Sequence, residues 1–221
     1  MIMSAQEFRA YDSAFGVLRQ FARRPRNVEH CELCSAELGK QHPHLLEPVG
    51  RKVICACDAC ALLFSGRAGA KFKRVPRSVR FLTDFRMTDA QWDSLMIPIN
   101  MAFFFKSSPE GRMIATYPSP AGATESLLSL EAWSEIARDN PDVNAMEPDV
   151  EALLVNRIGH ARGFSTPEYY VLPVDECFKL VGLIRLHWKG FSGGTEVWQE
   201  IARFFQELKG KAPIPAGGSH A

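Results

Sequence analysis

The sequence predicts an α+β protein in which a small tetracysteine module precedes a larger domain, and three observations lead there. Two Cys-x-x-Cys pairs, Cys31/Cys34 and Cys57/Cys60, fall within a thirty-residue stretch. Beyond them, short strand-like runs alternate with apolar stripes of helical period. The last stripe, Val197, Trp198, Ile201, Phe204, Phe205 and Leu208, traces one broad face of a helix.

Composition supports a folded chain. Of 221 residues, 46% are hydrophobic and 23% charged, a globular balance rather than a disordered one. Such a length buries a core without disulfide staples. The formal net charge of +1 argues against bulk attraction to nucleic acid or to an anionic membrane. No apolar run approaches the roughly 18–20 residues that span a bilayer. Met1 to Ala10 is interrupted by Gln6, Glu7 and Arg9, so it lacks an apolar signal core and the chain reads as cytoplasmic.

The elements follow in order. Residues 1–27 read as an N-terminal helix: Ser4 and Glu7 make a capping-box pattern, and Phe8, Tyr11, Phe15, Leu18 and Ala22 recur at helical spacing. Residues 28–66 hold the cysteine module, and residues 67–210 the α+β domain. Its opening connector, residues 67–80, carries Arg67, Lys71, Lys73, Arg74, Arg77 and Arg80 and no acidic residue. Phe81 to Phe85 alternates like a strand, and Thr88 with Gln91 predicts a capping box opening a short helix with Trp92 and Leu95. Ile99 to Phe105 and Met113 to Tyr117 read as paired strands about a Ser107–Gly111 turn. Pro118 to Ser126 reads as a loop leading into a helix with Leu127, Leu130, Trp133 and Ile136, stopped at Asn140-Pro141. Residues 149–158 are apolar without clear period, and we read them as helix; Tyr169 to Val174 reads as strand. Residues 175–188 form a buried helix with Cys177, Val181, Ile184 and Trp188 aligned. Thr195 is placed to cap the final helix, with Lys209 and Gly210 suited to its end. The Pro/Gly-rich tail, 211–221, is expected to be disordered.

The module carries the strongest chemical signal. A two-residue gap lets a tight turn aim both sulfurs of a pair at one point, and two such turns complete a tetrahedron at about 2.3 Å from zinc. Twenty-two residues separate the pairs, and within them Leu45–Glu47 and Arg51–Ile54 can form a hairpin about Pro48-Val49-Gly50. Knuckle, hairpin, knuckle is a zinc-ribbon layout, so Cys31, Cys34, Cys57 and Cys60 are the expected ligands of one metal ion, most simply zinc. Cys55 is an alternate to Cys57, separated from it only by Ala56. His30, His42 and His44 lie near, and His44 is the alternate imidazole ligand. The segment also resembles rubredoxin, which holds iron with two such knuckles, and this makes iron the alternative metal. Rubredoxin usually has glycine after the second cysteine of each knuckle; here Ser35 and Ala61 stand there.

Other patterns are weaker. Gly122, Thr124 and Ser126 could offer backbone N–H groups to an anion at a helix start, the basis of an enzyme reading. No acid, base or nucleophile pairs with them, and no Walker lysine follows. Cys177 and His187 are ten residues apart on one predicted helix, about 15 Å along its axis, too far for a dyad. Asp142, Glu147, Asp149 and Glu151 read as a solvated acidic cluster. Phe72 and Phe81 interleave with the basic connector, a pattern stacking residues can use on single strands, but the near-neutral overall balance argues against nucleic acid.

Longer stretches carry a resemblance: the Cys31-x-x-Cys34 start, His44-Leu45-Leu46, Cys55 to Phe64, Phe103 to Pro109, Tyr117 to Ser126 and Ala152 to Arg157. Over roughly residues 28–208 the chain resembles an uncharacterised bacterial family of unknown function. Members of that family are often encoded beside genes for nickel-iron hydrogenases and their maturation factors. The resemblance transfers no catalytic residue. It implies an accessory role, with a hydrogenase subunit or maturation factor as protein partner.

Overall fold

The computed structural model describes residues 28–67, 69–126, 130–160 and 163–212. The predicted N-terminal helix and the tail beyond Ala212 lie outside the described residues.

The cysteine module is built on the expected hairpin, β1 (His44–Glu47) against β2 (Lys52–Cys55), with Leu45 opposite Ile54 and Leu46 opposite Val53. Arg51 takes a left-handed φ of 50° in the turn. A seven-residue helix, α1 (Asp58–Phe64), follows β2 directly. The connector then supplies a short strand, β3 (Lys73–Arg74), that pairs with β1 and closes a three-stranded sheet in the order β2-β1-β3. The small sheet therefore takes its third strand from beyond residue 66.

The larger domain is a six-stranded, wholly antiparallel sheet. Its strands are β4 (Arg80–Phe81), β5 (Met101–Ser107), β6 (Arg112–Ser119), β7 (Gly122–Ser126), β8 (Glu151–Asn156) and β9 (Glu168–Pro173), in the order β4-β9-β8-β5-β6-β7. Helices α5 (Val174–His187) and α6 (Gly194–Lys211) cover one face, where Phe103, Phe105, Leu154 and Tyr170 meet Leu180, Ile184, Phe204 and Leu208. Helices α2 (Asp89–Ser94), α3 (Leu130–Asp139) and α4 (Pro141–Asn144) cover the other, where Ala102, Phe104, Leu153 and Val155 meet Trp92, Trp133, Ile136 and Val143. Successive side chains of a strand point to opposite faces, so Phe103 and Phe104 enter different cores.

That double burial overturns one expectation. Residues 151–156 form β8, not a helix, because Ala152-Leu153-Leu154-Val155 feeds both cores and shows no period-2 alternation. Pro118 to Ser126 also differs from the loop expected: it completes β6 and returns as the edge strand β7, with Thr116 opposite Glu125 and Tyr117 opposite Thr124. The strand expected over Phe81 to Phe85 is confined to Arg80–Phe81. Thr88 and Gln91 do form the capping box of α2. At α6, however, Thr195 is inside the helix and the cap is Gly193, at a φ of 85°. A Cβ at Gly193 would lie 2.8 Å from Val197 Cγ1 and 3.1 Å from the Trp188 ring, so the tight return between α5 and α6 requires glycine.

Module and domain meet through the inner face of the hairpin. Leu46 and Val75 belong to the core beneath α5 and α6, and Val53 packs against it. Arg51 is ion-paired with Glu110 and Glu125 and lies 5.5 Å from the centre of the Phe105 ring. Lys73 reaches Asp149 at 2.6 Å and the Pro148 carbonyl at 3.2 Å. Among the described residues, no helix is long and apolar enough to cross a membrane.

Candidate metal centre

Backbone bonds shape the first knuckle. Cys31 N–H donates to the Ala36 carbonyl and Ser35 N–H to the Cys31 carbonyl, both at 2.8 Å. This turn puts Ser35 at a φ of 62°, the left-handed geometry that glycine would enter without strain. Glu32, between the two cysteines, clasps the end of β2: its N–H donates to the Cys55 carbonyl at 2.9 Å, and its carboxylate accepts from Cys55 N–H at 3.0 Å. The spacing of the cysteines gave no sign of this clasp.

The second pair is held differently. Cys57 is the N-cap of α1, where its sulfur accepts from Cys60 N–H at 3.5 Å, and Cys60 lies in the first turn. A helix start therefore replaces the second symmetrical knuckle, and Ala61 is helical and fully buried. The layout is knuckle, hairpin, helix start.

These elements bring four sulfurs together. Cys31, Cys34, Cys57 and Cys60 all have Sγ atoms within 4.8 Å of one another. Cys34 and Cys57 are 3.7 Å apart, against an edge of about 3.8 Å for a sulfur tetrahedron around zinc. All four are free thiols. Cys31 and Cys60 are buried with Leu45, Ile54, Ala56 and Ala61 in a small core of their own, whereas Cys34 is exposed. The donor set fits a single thiophilic cation.

Electrostatics point the same way. Burial opposes charge on Cys31, but backbone N–H groups of Cys57, Leu33 and Cys34 outweigh it and draw the thiol down to about 6. Cys60 is pushed up to about 12 by burial and by the neighbouring Cys34, Cys57 and Cys31 sulfurs. The Cys31 thiolate forms readily, and a thiolate at Cys60 is resisted by burial and by the neighbouring sulfurs. A bound cation removes that resistance, because the ligand form of each cysteine is the thiolate.

The alternates fall elsewhere. Cys55 and His44 are directly opposed across β1 and β2, and with His42 they form a separate group whose ligand atoms also lie within 4.8 Å of one another. His30 bridges to Glu37 at the module's edge. Gly122, Thr124 and Ser126 are spread along β7 rather than gathered at a helix start, which lies further on at Leu130. The Thr124 hydroxyl is 3.1 Å from that of Ser119, and Glu125, between Thr124 and Ser126 in sequence, pairs with Arg51 and Arg112. Cys177 is fully buried, and burial raises its thiol well above the ordinary value. Asp149 is no solvated acid: it is 4% exposed, accepting from Ser108 N–H at 2.7 Å and Ser108 Oγ at 2.6 Å beside Lys73. Of the basic connector, Lys71, Lys73, Arg74 and Arg80 pair with Glu47, Asp149, Asp58 and Asp142.

Residues 30–212 match the family of unknown function DUF5947, and the chain belongs to that family. No curated protein and no solved structure matches it.

Proposed function

We propose that the protein is a metal-binding accessory protein whose cysteine module, folded around one zinc ion, docks on a protein partner. The observation that carries this is the four-sulfur cluster, with its tetrahedral Cys34–Cys57 spacing. Structural zinc sites are four-coordinate and closed, and the four cysteines leave no position for a substrate. The metal's role here is to hold the module in shape.

Docking is supported by what that shape displays. On α1, directly after the ligands Cys57 and Cys60, Leu62, Leu63 and Phe64 are 70%, 63% and 46% exposed. A shallow cleft lined by Leu33, Leu63, Phe64, Arg67, Lys71 and Phe72 continues the apolar surface and gives it a basic rim. Contiguous exposed apolar side chains with a polar border are the usual mark of a protein contact. The gene setting implied by the family resemblance makes a nickel-iron hydrogenase subunit or a maturation factor the proposed partner, and the cytoplasm the proposed compartment.

The test is affinity capture with the full chain from a host expressing the hydrogenase. We expect enrichment of a hydrogenase or maturation protein by the wild type and its loss in Leu62→Glu/Leu63→Glu. Capture of neither class counts against the partner. A rubredoxin-like electron carrier is the competing reading, favoured by the exposed Cys34 and the left-handed Ser35. Absorbance separates the two, since oxidised iron tetrathiolate is red and zinc colourless: a red protein with one iron per chain would replace structural zinc by electron transfer.

A further inference from the structure

The hairpin has two faces, and the four-sulfur cluster uses only one. Leu45 and Ile54 point into the core shared with Cys31 and Cys60. Residues of opposite parity, Leu46 and Val53, point the other way, into the large domain. His44 and Cys55 have that second parity and are directly opposed. His42, two residues before His44, joins them, and the two imidazole centres are 5.0 Å apart.

Both rings are already oriented. His44 Nδ1 donates to Asp175 Oδ2 at 2.5 Å, from the first turn of α5. His42 Nδ1 donates to the Gly39 carbonyl at 2.9 Å, with Glu29 Oε2 3.5 Å away. With its proton on Nδ1, each ring in its neutral form carries the lone pair on Nε2. His42 Nε2 is buried with no hydrogen-bond partner among the described residues, on a side chain only 7% exposed. An imidazole pinned through Nδ1 to a carbonyl or carboxylate, with Nε2 unengaged, is how proteins present histidine to a metal. An orphaned buried nitrogen otherwise costs free energy.

We propose that His42, His44 and Cys55 form a second metal site, distinct from the tetracysteine cluster, for a borderline divalent cation of the zinc type. Two imidazoles and one thiolate suit such an ion, and three protein donors leave its fourth position to water or an incoming ligand. Asp175 holds His44 in place and ties the site to the large domain, so the cation sits at the seam between module and body. This inference is independent of the partner proposed above.

Metal counting tests it. The full chain is stripped under reducing, anaerobic conditions and reloaded with Zn2+ held at low free concentration by a chelating buffer. Two equivalents per chain are expected in the wild type. One is expected in Cys55→Ser and in His42→Ala/His44→Gln, with the large domain's urea transition unchanged. Cys34→Ser should lose the first site and, by loosening β1 and β2, weaken the second with it. With Co2+, Cys55→Ser should lose part of the sulfur-to-cobalt absorbance while the four-thiolate bands remain. A single equivalent in the wild type, abolished by Cys34→Ser alone, overturns the second site and leaves the first intact. Two equivalents retained in the Cys55 and His variants overturn it as well. If those variants fail to fold, the wild-type count decides alone.

Discussion

The small module and the large domain are held together by different physics. The module's own core consists of Cys31, Leu45, Ile54, Ala56, Cys60 and Ala61, two of them proposed metal ligands. The large domain has an apolar cluster on each side of its sheet, with Phe103 and Tyr170 in one and Phe104 and Trp133 in the other. A core as small as the module's does not offset the conformational entropy of some forty residues, whereas two full cores do. The contrast teaches why the proposed coordination falls where the chain cannot bury enough apolar surface.

The largest break in that contrast comes from removing the metal. Structural zinc contributes on the order of 10 kcal/mol to small metal-dependent folds. Chelation, or Cys60→Ser, should therefore expose the amides of β1, β2 and α1 to hydrogen exchange while β5, β8 and β9 stay protected. Equal protection of both regions after metal removal would show that the module folds on its own. The converse cut is Phe104→Ala, which opens a cavity against Trp133, 5.1 Å away between ring centres. It should lower the stability of the large domain by about 3–5 kcal/mol in urea unfolding, with metal stoichiometry unchanged.

A smaller effect sharpens the boundary. Asp149→Asn removes the charge that Lys73 and Ser108 satisfy and should cost about 1.5–3 kcal/mol. Burial opposes this carboxylate, but Lys73 and Ser108 outweigh it and hold its pKa below the ordinary value. A carboxyl lowered on folding stabilises the native state above its unfolded value, about 3.9, and loses that contribution as the pH falls through the folded value. The difference between wild type and Asp149→Asn should thus be full at neutral pH and shrink below about pH 4. A difference that persists in acid would assign the effect to shape rather than charge. Smallest is Thr88→Ala, which deletes the capping box of α2 at about 1 kcal/mol, read as a shift in urea midpoint without a change in slope.

Legibility in the sequence divides along similar lines. Cys31, Cys34, Cys57 and Cys60 were readable because a two-residue gap by itself forces two sulfurs to converge. The capping box at Thr88 and the stripe of α6 were readable because each is a local, periodic signal. Strand β8 was not: Leu153 and Leu154 serve opposite cores, and burial on both faces erases the alternation that distinguishes strand from helix. Strand β7 was hidden because Gly-Ala-Thr-Glu-Ser has low strand propensity, and its place is set by pairing with β6 at the sheet's edge. The His42–His44–Cys55 group depends on hairpin register: only when His44 stands opposite Cys55 do the three residues share a face. His42-x-His44 was the available hint, two histidines of equal parity entering a strand.

Leu62, Leu63 and Phe64 would give the proposed cation a meaning beyond cohesion. They stand one turn past Cys60 on a helix too short to persist in water by itself. If the module folds around a metal as proposed, those three side chains would be a greasy stretch of loose chain without the ion, open to any chaperone or aggregate. With it, they would become a rigid tooth of fixed outline. Supply of the metal would then govern when the molecule has something definite for another surface to read.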